Sequence, residues 1–147
     1  MDAENAYDFE KLSREIVVSQ FKGVPDAPDK TADLVKRTIV AAIKGTRDAK
    51  QAPDEIVRQV VAGSLAGILL IERELPMSAV FILRRTADAA QDVGIDPQEM
   101  LTWGLQGVAR VMKMVQPPVI VAVQNEIESA FMGAGGIFAD LCRELRG

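Results

Sequence analysis

Five of the seven prolines stand at nearly even intervals. Pro28, Pro53, Pro76, Pro97 and Pro118 are 25, 23, 21 and 21 residues apart. Proline fits the first turn of a helix, where its missing N–H costs nothing, and breaks a helix interior. Prolines about 22 residues apart therefore predict a series of helices, each up to about 30 Å long. Asp96-Pro97-Gln98-Glu99 carries the clearest start signal, with Asp96 placed to cap and Pro97 at the first helical position. Gly23 before Pro25, and Gly94 before Pro97, read as stops.

Apolar periodicity agrees. Val35, Ile39, Ala42, Ile43 and Thr46 share one face at helical spacing. So do Val123, Ile127, Ala130, Ala134, Ile137, Leu141 and Leu145. Sustained strand alternation is missing throughout. The expected fold is an all-α compact bundle of about six helices of some 15–25 residues, over 5–22, 30–49, 54–75, 77–93, 97–115 and 118–145. The length of 147 residues fits a single domain spanning 1–147. Within it, residues 1–28 form an N-terminal helix and Pro-rich linker, expected at the periphery, and 29–147 the core bundle. A short pattern recurs at 15–23, 37–45, 55–63 and 99–107: a charge, two mostly apolar residues, three variable ones, an apolar residue, any residue, then Gly. The copies are too unevenly spaced for a regular solenoid.

The charged residues, 26% of the chain, avoid certain stretches. None lies between Arg58 and Glu72, and the helix from Pro97 is apolar around most of its girth, with Trp103 on it. Such helices must be covered on more than one side. Gly63, Gly67, Gly104 and Gly107 lie on the same two helices. A mid-helix glycine costs about 1 kcal/mol relative to alanine, and close approach of a neighbouring helix compensates. The segment from Met77 to Leu83 is apolar all round, and Phe81 projects to the side of Arg84, Arg85, Asp88 and Asp92. A homo-oligomer, in the first place a dimer, is expected from this surplus of apolar helix surface. Its candidate contact residues are Met77, Phe81, Trp103, Gly63, Gly67, Gly104 and Gly107.

Catalytic parts are scarce. The chain has no histidine, and Cys142 is its one cysteine. That removes the usual base for activating a thiol or hydroxyl and the commonest metal ligand. Glu72 with Glu74, and Glu126 with Glu128, are two apart and point to different faces. Gly133-Ala134-Gly135-Gly136 has no preceding strand and no following Lys-Ser/Thr, so it reads as a helix contact or a local break. No catalytic residue, cofactor or metal is assigned. Lys36, Arg37, Lys44 and Arg47 share one face and form a candidate surface for an anionic partner. A net charge of −4 and a lack of interleaved aromatics argue against nucleic acid.

The longest uncharged apolar run, Val60 to Ile71, would span about 18 Å as a helix against a bilayer core of about 30 Å. With an acidic start at Asp2 and Glu4, a cytoplasmic protein is expected. The leading functional expectation is a non-catalytic interaction or accessory protein that self-associates or binds a protein partner through apolar helices. An alternative is a surface-coating protein: the proline-punctuated helices resemble exchangeable apolipoproteins, and an Ala-rich, His-free helical chain resembles the phasins that coat bacterial polyester granules. A third is an apolar-ligand-binding bundle or enzyme, with Arg84, Arg85 or Arg110 meeting an anionic group.

Overall fold

The structure, a computed structural model, describes residues 8–46 and 51–146. Among these residues the chain forms seven helices and no strand: α1 Phe9–Phe21, α2 Ala27–Gly45, α3 Pro53–Leu70, α4 Leu75–Val93, α5 Pro97–Val111, α6 Pro117–Ala130 and α7 Ala134–Arg146. A 3₁₀ turn, Met112–Met114, joins α5 to α6. Each of the five spaced prolines falls at the start of its own helix, α2 to α6.

Local chemistry explains the ends. Asp8 Oδ1 accepts from the Lys11 N–H at 3.0 Å, and Asp96 Oδ1 from the Gln98 N–H at 2.8 Å, so each carboxylate caps orphan amides. Gly94 ends α4 in the left-handed region at φ 71°, with the Ile95 N–H donating to Ala90 O. α3 stops at Leu70, short of the expected residue 75. Glu72 takes φ 57°, its N–H donates to Leu69 O and the Arg73 N–H to Ile68 O, which closes a Schellman turn without glycine. Arg73 is thereby turned to donate to Val24 O at 2.6 Å and Pro25 O at 2.9 Å, pinning the α1–α2 loop.

α3 is the centre. It buries eleven of its 18 residues and packs on α1, α2, α4 and α5. α5 packs on α3, α4 and α7, while α6 touches mainly α4 and α7. One contiguous apolar core runs from Phe9 to Cys142. α1 belongs to it, because Phe9, Val17 and Phe21 are buried and the helix lies along α3. The described part of the segment expected at the periphery packs chiefly on α3, with a small contact to α2.

The expected final helix, 118–145, is two helices. Gly133 adopts φ 89°, and the Glu128 carboxylate accepts from the Gly133 and Gly135 N–H groups, each at 2.9 Å. A side chain from the end of α6 thus caps the start of α7. The break resets the helical phase. Phe138 becomes fully buried and Ile137 is 51% exposed, the reverse of the face expected from an unbroken helix. The glycines of the recurring pattern do not share a role: Gly23 and Gly45 lie at helix ends, whereas Gly63 and Gly107 sit inside helices against neighbours.

Candidate interaction faces

The four glycines expected at a contact are used inside the chain. A Cβ on Gly63 would overlap the Glu10 carbonyl, and one on Gly67 would lie 2.7 Å from Val17 Cβ, so both seat α1 on α3. Gly104 faces Leu83 and Thr86 of α4, and Gly107 faces Arg58 O and Val61 of α3. Close approach is what these glycines provide, and the approaching helices are the chain's own.

Met77 and Phe81 remain. Met77 is 39% exposed and Phe81 half-buried. They line a cleft of about 190 Å³ between α4 and α6, with Val80, Arg84, Glu126, Ser129 and Ala130. Trp103 is half-buried on α5 and does not line this cleft.

The helix that sequence reasoning missed is α6. Only Val123 and Ile127 of its 14 residues are buried. Its outer face carries Pro118, Val121, Ala122, Asn125 and Ser129, all exposed and uncharged. The signal was available, because no charge occurs from Met114 to Asn125. It was hidden by assigning the segment to one long amphipathic helix.

The basic face of α2 is partly neutralised. Lys36 Nζ lies 3.8 Å from Asp92 Oδ2, and Arg85 pairs with Asp33. These groups line a groove of about 600 Å³ between α2 and α4 together with Arg37, Val40 and Ala41. Arg37 also borders a second groove of about 470 Å³, whose apolar side includes Phe9, Leu12 and Ala42. Arg37 and Lys44 are exposed, and Arg47 lies outside the described residues.

A polar cluster ties α1, α3 and α5 together. Arg58 donates from Nε to Glu55 Oε1 at 2.9 Å, from Nη1 to Gln106 Oε1 at 2.7 Å and from Nη2 to Asp54 Oδ2 at 2.5 Å. Arg110 reaches Glu55 at 3.0 Å and Glu10 at 3.3 Å. Gln59 Nε2 donates to Glu55 Oε2, and Gln59 Oε1 accepts from the Phe9 N–H. Partial burial pushes the Glu55 carboxyl up, but hydrogen bonds from Arg110, Arg58 and Gln59 outweigh it and hold the group below its ordinary value of 4.5. Burial likewise acts to lower Arg58, and its bonds to Glu55 and Asp54 raise it on balance. Arg110 and Arg85, two of the three expected ligand cations, are thus engaged with carboxylates of the chain. Arg84 is exposed at the α4–α6 cleft. The spacing of Asp54, Glu55, Arg58 and Gln59 signalled the part within one helix, whereas the partners 48, 55 and 100 residues away had no local signature.

Cys142 is buried at 7% exposure. Among the described residues no three of Asp, Glu, Cys or His come together to hold a metal, and no helix is long and apolar enough to cross a membrane. Comparison with family models, with curated proteins and with solved structures returns no match to this chain.

Proposed function

We propose that the chain is a non-catalytic helical assembly protein, which self-associates through the apolar outer side of α4 and α6 and so presents a multivalent unit to its partner. The observation that carries this reading is the apolar exposure on that side. Val121 is 55%, Met132 95% and Met77 39% exposed, beside an uncharged helix face. Exposed large apolar side chains on one side of a molecule, here with Arg84 and Glu126 in the cleft beside them, are characteristic of interaction sites. The missing histidine, the buried thiol and the internal pairing of Arg58, Arg110 and Glu55 support a binding role over a catalytic one.

The basic face of α2 supports a second contact, with an acidic protein partner. Arg37 borders a groove with apolar side chains such as Leu12, which is 47% exposed, and Lys44 is exposed on the same helix. A surface-coating role draws less support, because most helices already turn their apolar faces into one core and the bundle would have to open first.

Light scattering on the purified chain at tens of micromolar tests the proposal. A mass of two or more times 15.9 kDa is expected. A monomer at all accessible concentrations rejects it.

A further inference from the structure

α1 and α2 are joined by residues 22–26 alone, yet they barely touch: α1 packs on α3, and its contact with α2 is small. Between them runs the groove of about 470 Å³. Its α2 side includes three small residues, Thr38, Ala41 and Gly45, which lie at i, i+3 and i+7 and so share one line along the helix. Phe9 and Leu12 form the α1 side. We propose that this groove receives a helix of a partner protein, one that carries carboxylates two turns apart with apolar side chains between them. The inference rests on the reading of α2 as a contact for an acidic partner, and specifies what that contact takes.

Charge selects the occupant. Elsewhere on α2 the charges are answered within the chain, Lys36 by Asp92 and Asp33 by Arg85. Arg37 and Lys44 have no ion pair among the described residues, and among those residues no carboxylate lines the groove. The two cations stand seven residues apart, about 10.5 Å along the helix axis. Carboxylates at i and i+7 of a helix laid along α2 have the same separation, and its side chains at i+3 and i+4 then face the groove. A second copy related by a two-fold axis is opposed by the same groups, since it would set Arg37 and Lys44 against themselves.

The open form of the groove selects a length of polypeptide over a small molecule. A small-molecule site buries about 70–90% of its ligand. Here Leu12 is 47% exposed, and Arg37, Ala41 and Gly45 are exposed as well, so the groove is a trough open to solvent along its length. Such a trough covers one side of a helix and cannot enclose a compact ligand. The small residues of its α2 side let an incoming helix come close.

Two end-capped, alanine-based helical peptides test the proposal. One carries Glu, Leu, Leu and Glu at i, i+3, i+4 and i+7, and the other has Lys in place of Glu. The pattern reads the same in both directions, so either orientation of the peptide is allowed. Amide shifts in the isotope-labelled chain report where each peptide binds, and fluorescence anisotropy how tightly. The Glu peptide is expected to bind with shifts concentrated at Leu12, Thr38, Ala41 and Gly45, and the Lys peptide not to bind. Reversing both cations, Arg37→Glu with Lys44→Glu, is expected to weaken the Glu peptide about tenfold and to admit the Lys peptide. Ala41→Trp, at an exposed position, fills the trough and is expected to weaken the Glu peptide as much, with Tm unchanged. Weakening by charge reversal with full binding to Ala41→Trp overturns the groove and leaves the acidic contact on α2 standing. No binding, or binding that ignores charge, removes both. Shifts at these four residues on concentrating the chain alone assign the groove to a second copy and overturn the proposal. Binding to phosphatidylglycerol vesicles in place of the Glu peptide overturns it too.

Discussion

Gly63 of α3 lies directly against the backbone of Glu10 on α1, so closely that an added Cβ would overlap the Glu10 carbonyl oxygen and stand 2.8 Å from its carbon. Backbone cannot swing aside as a side chain can. Gly63→Ala is therefore expected to cost ~3 kcal/mol, a fall of roughly 10 °C in Tm for a chain of this size. Gly104→Ala meets the end of the Leu83 side chain at 2.9 Å and should cost about 1 kcal/mol. Thermal melts of the two variants, read together, check the docking of α1. Equal Tm values for Gly63→Ala and wild type would contradict it.

The α6–α7 break makes a second pair of substitutions diverge. Gly133 holds φ 89° with open space around it, so Gly133→Ala strains the backbone and should lose about 1 kcal/mol. Gly136 is helical and equally open, so Gly136→Ala should gain up to about 1 kcal/mol. Glu128→Ala, which removes the carboxylate bound to two amides, should lose about 1 kcal/mol. Chemical denaturation separates the three.

The polar cluster predicts a pH effect of defined sign. The folded-state value of Glu55 lies below its ordinary 4.5, so its stabilising contribution is fully present above that value and is lost as pH falls through the folded value. The Glu55 side chain is 36% exposed, so solvent screening limits the contribution to about 1 kcal/mol or less. Glu55→Gln should melt below wild type at pH 7, and the gap should narrow in melts near pH 3.

Thr31 contributes the fourth prediction. Its hydroxyl is fully buried on α2 without a hydrogen-bond partner. Thr31→Val keeps the shape and removes the orphan group, and should raise stability by about 1 kcal/mol in a urea titration.

These residues also show what could be read in advance. Helix starts were legible because Pro53, Pro97 and Asp96 act on their own first turns. Close approach at Gly63 and Gly107 was legible from the cost of glycine in a helix, but its partners, Glu10 and Arg58, come from elsewhere in the fold. The break after Ala130 was legible only as one of two readings of Gly133-Ala134-Gly135-Gly136, because its cap, Glu128, comes from the preceding helix rather than from a Ser or Asp at the start of α7. Drawing one helix through it misplaced Ile137 and Phe138 and concealed the exposed face of α6. The pairing of Arg110 with Glu55 and Glu10 escaped because only tertiary packing brings those helices together.

Sedimentation equilibrium of the wild-type chain beside Val121→Asp tests self-association through the outer side of α4 and α6 most directly. Val121 is 55% exposed, so a carboxylate there leaves the folded subunit undisturbed and places a charge in the apolar contact. The expected result is a wild-type dimer at micromolar concentration and a monomeric variant of unchanged helicity. A wild-type monomer, or a variant that associates as tightly as wild type, would contradict the account.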